Sequence, residues 1–314
     1  MPETLTLMYL TDDGRHFNFE TFVKMLSNMK NKKQVILLVL THCNDLEFYN
    51  NILKTYNIQQ FLIQHFDPYD NYMNKVRFTI QFSEQNNIKY ICKYDNDIIL
   101  TSALFDYMVD NLAVLNDNTH FILSPTLTSG IPSIEYFLDD FATKDEQNSI
   151  REEFRKLKIP DFTMGQDYSS LNTQVTKWDY KHFFQQVSNI PHVFKGIHPH
   201  RISADLHEKL NSIVINHRDD ILNAKNFNLF IDNSSPYICN SVFIIRTDRY
   251  KDVINQISLF KDGFEEVPLN LRMKELNADI VFVRNGCGIH SYYNTIPNNR
   301  ELEKTFMDCF FHSN

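Results

Sequence analysis

Between Leu5 and Leu123 the sequence repeats one pattern: a short apolar run, a polar turn, then a longer segment whose apolar residues recur at helical spacing. The apolar runs are Leu5–Leu10, Gln34–Leu40, Phe61–Phe66, the stretch from Lys89 to Leu100, and Phe121–Leu123. The second of them is unbroken from Val35 to Leu40, which is the composition of a strand covered on both faces. Between the runs lie Phe19, Phe22, Val23 and Leu26, then a segment through Leu53 that Asn44 or Asp45 can cap, then Met73, Val76 and Ile80 within Asn71–Gln85. Leu104, Met108, Leu112 and Leu115 predict a further helix over Ser102–Leu115. Strands joined through helices return over one face of the sheet, so the pattern predicts an α/β fold, a Rossmann-like, mostly parallel twisted sheet flanked by helices.

From Pro125 to about Asn226 the alternation degrades into helices and loops, with no Gly/Ser or Pro tract to mark a linker. Gly130-Ile131-Pro132 reads as a turn. Ser241–Arg246 then restores strand character, a helix carries Tyr250, Val253, Ile254 and Ile257, and a last strand is expected over Ile280–Val283. The tail from Asn298 is polar and reads as a terminal helix. The organisation expected is one domain. Residues 1–124 form its ligand-binding half, 125–226 a helical and loop insertion on the acceptor side, and 227–314 complete the sheet and the site.

A length of 314 residues with 43% hydrophobic and 22% charged residues suffices for a sizeable core. A formal net charge of −8 gives no general attraction for a polyanion, so general nucleic-acid binding is not expected. No apolar run is long enough to span a membrane, and the first residues lack a secretion signal. The five cysteines show no paired spacing and read as reduced thiols, in keeping with a cytoplasmic location, the host cytoplasm if the source is viral. The Asn, Ile, Lys and Phe bias is that of an A/T-rich coding sequence, viral or low-GC bacterial. With only seven glycines the chain contains neither a P-loop nor a dinucleotide fingerprint.

The stretch KYICKYDNDIIL runs from a strand straight into Asp95-Asn96-Asp97. Strand alternation would put Lys93, Asp95 and Asp97 on one side, and the turn is expected to face solvent. Two neighbouring acids repel unless a cation sits between them, and a hard divalent ion takes oxygen ligands of this kind. The same three letters also occur in ordinary surface turns; position at the end of a strand, where open α/β sheets gather ligands, favours the metal reading. Lys195, His198, His200 and Arg201 could line an anion or sugar site, or form a solvated basic loop. Trp178 could stack on a sugar face or belong to the core.

This ordered set resembles the metal-dependent glycosyltransferases of the GT-A fold. Asp95-Asn96-Asp97 matches their D-x-D motif, Glu265-Glu266 is similar to their acidic motif at the start of a later helix, and His290 stands where their C-terminal histidine completes the metal site. The resemblance implies transfer of a sugar from a nucleotide-diphosphate sugar, UDP-sugar favoured, to a hydroxyl of a carbohydrate or glycoconjugate acceptor. Mn²⁺ or Mg²⁺ would be held by Asp95, Asp97 and His290. Thr11, Asp12, Arg15 and Asn96 would contact the donor, with Lys75 or Arg77 reaching its diphosphate or ribose unless both are simply solvated. Glu266, or Glu265 beside it, would deprotonate the acceptor in an inverting enzyme; in a retaining one the pair would only complement a helix dipole. Two other readings are a sugar nucleotidyltransferase and a catalytically silent carbohydrate-binding or scaffold protein.

Overall fold

A computed structural model describes residues 3–11, 16–67, 72–130, 133–156, 204–233, 238, 241–255, 266–290 and 300–312. The elements in chain order are β1 (Leu5–Thr11), α1 (His16–Ser27), β2 (Val35–Thr41), α2 (Leu46–Thr55), β3 (Phe61–His65), α3 (Tyr72–Gln85), β4 (Tyr90–Asp95) and β5 (Ile98–Ile99). There follow α4 (Ser102–Asp110), β6 (His120–Leu127), α5 (Ser133–Phe141), α6 (Lys144–Lys156), α7 (Ala204–Asn216), α8 (Arg218–Leu222) and β7 (Asn228–Asp232). The last are β8 (Val242–Arg246), α9 (Thr247–Asn255), α10 (Glu266–Glu275), β9 (Asp279–His290) and α11 (Arg300–His312).

One nine-stranded sheet orders these strands β3-β2-β1-β4-β8-β6-β9-β5, with β7 also paired to β9. The strands β1, β2, β3 and β4 pair in parallel, as do β6 and β9, while β8 runs against both of its neighbours. The mostly parallel sheet expected from the alternation is therefore present, with β5, β7 and β8 opposed to the rest. Alternate residues of each strand feed two cores. On one face Leu5, Leu7, Tyr9, Leu37, Val39, Tyr94 and Ile244 pack under α1, α2 and α4; on the other Met8, Leu38, Ile91, Phe243 and Ile245 pack under α3, α9 and α10.

The scarcity of glycine shows in how helices end. Asn57, Asn87 and Asn277 follow α2, α3 and α10 with φ of 55°, 55° and 49°. Asparagine tolerates this left-handed conformation better than other residues with a side chain. At each end the next residue, Ile58, Ile88 or Ala278, is buried and donates its N–H back to the helix at 2.9, 2.8 and 2.9 Å, to Leu53, Ser83 and Met273. This 6→1 bond with its buried apolar residue is the Schellman arrangement.

The predicted tail helix is α11, but it is amphipathic rather than polar: Phe306, Met307 and Phe310 are buried. Arg218 of α8 donates from Nε to the Phe310 carbonyl and from Nη2 to that of Phe311 at 3.4 Å, satisfying the end of α11. The last strand is longer than its apolar core of Ile280–Val283, because β9 continues through Gly286 and Gly288. A Cβ at Gly288 would meet Leu100 and Leu127 at 2.7 and 2.8 Å, so the small residue lets β9 lie close to the turn that follows β5. Cys43, Cys92 and Cys287 are buried and Cys309 is exposed, and none of these four forms a disulfide. Among the described residues no helix is long and apolar enough to cross a membrane.

Two predictions follow from these local features. Asn87→Ala should lower the unfolding free energy by about 1–2 kcal/mol in urea denaturation, while Asn87→Gly should not, since only the first strains a left-handed residue. Glu135 in α5 has its carboxyl pushed up to about 7 by burial, with Asp139 adding to this and Arg151 opposing it. The folded state thus holds a proton that the unfolded chain releases at the ordinary value, and stability falls as pH rises from about 4.5 to about 7. Glu135→Gln should melt above the wild type at pH 8 and together with it at pH 4.

Candidate active site

Because β1, β2, β4, β6 and β9 share a direction, their carboxyl ends lie along one edge of the sheet. That edge collects Thr11, Thr41, Asp95, Leu127 and His290 as the last residues of their strands. After Asp95 the chain makes a turn at Asn96 and Asp97, and the two-residue β5 pairs antiparallel with the end of β9, Ile98 opposite His290 and Ile99 opposite Ile289. Tyr94 closes the turn by donating its hydroxyl to the Ile98 carbonyl at 3.1 Å.

The pairing brings His290 to Asp97: Nε2 lies 3.3 Å from Oδ2, with the two side chains 3% and 11% exposed. The histidine is fixed from behind. Its backbone N–H donates to Thr128 Oγ1 at 3.0 Å, and its Nδ1 is 2.6 Å from Ser129 Oγ. In the tautomer with Nε2–H towards the carboxylate the Ser129 hydroxyl donates to Nδ1; in the other, with the Nε2 lone pair free for a cation, Nδ1–H donates to the same oxygen. Ser129, His290 and Asp97 are also the side chains of a nucleophilic relay, but Ser129 is 1% exposed, so its role is to orient the ring.

Lys93 and Asp95 share one side of β4 as expected, but Asp97 lies beyond the end of the strand, so alternation does not govern it. The turn does not face solvent either: Asn96 and Asp97 are each 8% exposed. Nor is repulsion between the acids left to a shared cation, because each has its own nitrogen partner. Lys93, buried on the α3 face, places Nζ 2.8 Å from Asp95 Oδ2 and 5.9 Å from the Tyr72 ring centre. A lysine buried in a strand needs such a partner.

The turn is also held from the side. Asn18 of α1 donates from Nδ2 to the Asn96 carbonyl at 2.7 Å and to Glu303 Oε1 of α11 at 2.9 Å. Behind His290 lies His207 of α7, whose pKa is depressed to about 4, first by burial and second by His290, so that it is neutral at neutral pH. Sequence reasoning missed Asn18, Ser129, His207 and Glu303. The signal available was a polar residue on an apolar helical stripe. Glu303 continues Phe306, Met307 and Phe310, Asn18 continues Phe22 and Met25, and His207 continues Leu210 and Val214.

Of the other expected site residues, Thr11 is buried at the same edge, its hydroxyl 3.3 Å from that of Tyr49. Lys75 is buried in the first turns of α3 with Nζ 5.9 Å from the Phe66 ring centre, whereas Arg77 is exposed and meets Asn74. Lys75 is therefore not solvated, and Arg77 is. Glu266 is the first residue of α10. Asp12, Arg15, Glu265, Trp178, Lys195, His198, His200 and Arg201 lie outside the described residues.

Among the described residues no three His, Cys, Asp or Glu side chains converge closely enough to form a metal-ion cluster by themselves. Asp97 and His290 supply two donors. That fits a hard cation which takes one or two protein ligands and completes its shell with substrate phosphate oxygens and water.

No family model matches the chain, and no curated protein matches it. Among solved structures, a cytidylyltransferase from Leptospira borgpetersenii serovar Hardjo-bovis is similar to it with a TM-score of 0.30 and 14% identity, over 42% of this chain and 54% of that one. The match spans about half of that protein's length, and the functional reading rests on the geometry of the site instead.

The burial of the pair predicts a stability effect. Asp97→Ala should lower the unfolding free energy by about 1–3 kcal/mol, because it leaves His290 facing an unfilled, buried position. Asp97→Asn keeps an oxygen there and should cost clearly less in the same urea titration. If both variants unfold with the wild type, the pair is not part of the core.

Proposed function

We propose that the chain is a metal-dependent glycosyltransferase, moving a sugar from a nucleotide-diphosphate sugar, UDP-sugar favoured, to a hydroxyl of a glycan or glycoconjugate. The observation that carries the reading is the β5–β9 pairing, which sets His290 Nε2 3.3 Å from Asp97 Oδ2 at the carboxyl edge of the sheet. A D-x-D acid and a C-terminal histidine that meet there would supply two ligands of the kind such a donor site uses.

Asp97 and His290 would hold Mn²⁺ or Mg²⁺. When bound, the ion supplies Lewis-acid stabilisation of the negative charge that develops on the departing diphosphate. The protein's own groups do the rest. Ser129 keeps the imidazole of His290 turned towards Asp97 in either tautomer. Lys93, on Asp95 at 2.8 Å, offsets one carboxylate charge where an anionic donor must approach. Asn96 and Thr11 would contact the nucleotide, and Lys75 would add positive charge. Glu266, at the start of α10, would take the proton of the acceptor hydroxyl in an inverting reaction. As the bond from sugar to diphosphate breaks, positive character grows on the sugar ring, and the acceptor oxygen attacks it.

The test is release of nucleoside diphosphate from a panel of nucleotide-sugars with and without Mn²⁺. Wild type should turn over at least one donor only with the ion. Asp97→Asn and His290→Ala should each lose about a hundredfold or more, the size of removing one stabiliser of transition-state charge. Activity that survives both substitutions would contradict the reading. Formation of pyrophosphate from a nucleoside triphosphate and a sugar phosphate would instead mark a nucleotidyltransferase.

A further inference from the structure

The Asp95-Asn96-Asp97 turn is joined to the two ends of the described chain by one buried side chain. Asn18 is 5% exposed, and the two hydrogens of its amide have two acceptors, the Asn96 carbonyl at 2.7 Å and Glu303 Oε1 at 2.9 Å. Glu303 itself is 2% exposed on the apolar stripe of α11. A carboxylate is a costly group to bury, and a neutral side chain would fill this stripe at less cost. What the carboxylate adds is polarisation: an amide donating to a charged acceptor becomes a stronger donor through its other hydrogen. That other hydrogen holds the carbonyl of the residue between the two aspartates. Fixing this carbonyl fixes the peptide plane from which Asp97 departs, and with it the approach of the Asp97 carboxylate to His290.

We propose that Asn18 and Glu303 are positioning residues for the divalent-cation site, so that docking of α11 sets the affinity of Asp97 and His290 for the ion. This rests on the metal-dependent reading above. The helix α11, which follows the His290 strand in the chain, thus reaches the turn through Asn18, and the site is complete only when α11 is seated. Neither residue touches the ion or the donor in this account; both act through the backbone of Asn96.

The experiment is titration of the full-length chain with Mn²⁺ in the presence of UDP, following free Mn²⁺ by electron paramagnetic resonance, with thermal melting of each variant as the control for folding. Asn18→Ala and Glu303→Ala should weaken Mn²⁺ binding by about tenfold or more while remaining folded at the assay temperature, the size usual for groups that orient metal ligands. Glu303→Gln, which keeps an acceptor for Asn18 but removes the charge, should fall between them and the wild type. If Asn18→Ala does not fold, the contrast between Glu303→Ala and Glu303→Gln carries the test. Folded variants that bind Mn²⁺ as tightly as the wild type would overturn this proposal and leave the metal reading standing. A wild-type chain that binds no Mn²⁺ would overturn both.

Discussion

The contact between Asp97 and His290 depends on a strand of two residues. Without β5, the turn after β4 would have no fixed relation to β9, and the acid and the histidine would be unrelated residues of distant segments. Everything near the site serves that juxtaposition. The parallel pairing of β6 with β9 sets the height of β9, Gly288 allows its close approach to Leu100 and Leu127, and Ser129 and Thr128 at the end of β6 fix the histidine itself. Tyr94 of β4 closes the turn through its hydroxyl.

Burial decides how such a site can be built. A turn carrying two acids is easily tolerated in water, but Asn96 and Asp97 are nearly enclosed here. Each charge then needs a local partner, and the chain provides one per acid: Lys93 for Asp95 and His290 for Asp97. The lysine belongs to the same strand as its aspartate, while the histidine comes from the far end of the sheet. The Asp95 pair therefore forms with β4 itself, whereas the Asp97 pair forms only when the second half of the chain has docked. The buried Glu303, reaching the same turn through Asn18, adds a further dependence on that docking.

The fold was legible in the sequence wherever apolar periodicity spanned several residues. The five apolar runs before Leu123 are strands or contain them, and the helices between them carry their predicted apolar residues inward. What escaped was short or weakly patterned. β5 has two residues, and β7 exposes Phe230 and Ile231 while pairing, among the described residues, with β9 alone, so neither yields a clean alternation. At the site, Asp95, Asp97 and His290 could be singled out from residue type and order, but not the pairing that brings the last two together. Alternation does not place Asp97 because the strand stops at Asp95. Ser129 went unnoticed because a single serine after a strand carries no pattern at all, and Asn18, His207 and Glu303 because a lone polar residue on an apolar stripe looks like an interruption. Only its buried partner gives it meaning.

The proposal stands or falls on whether Asp97 and His290 together hold a divalent cation against a nucleoside diphosphate. It is tested most directly by anomalous diffraction at the manganese edge from crystals grown with UDP and Mn²⁺. An anomalous peak should lie in contact with both the Asp97 carboxylate and His290 Nε2, with diphosphate oxygens completing the shell. An ordered diphosphate bound against Lys93, with no anomalous density beside Asp97 or His290, would contradict it.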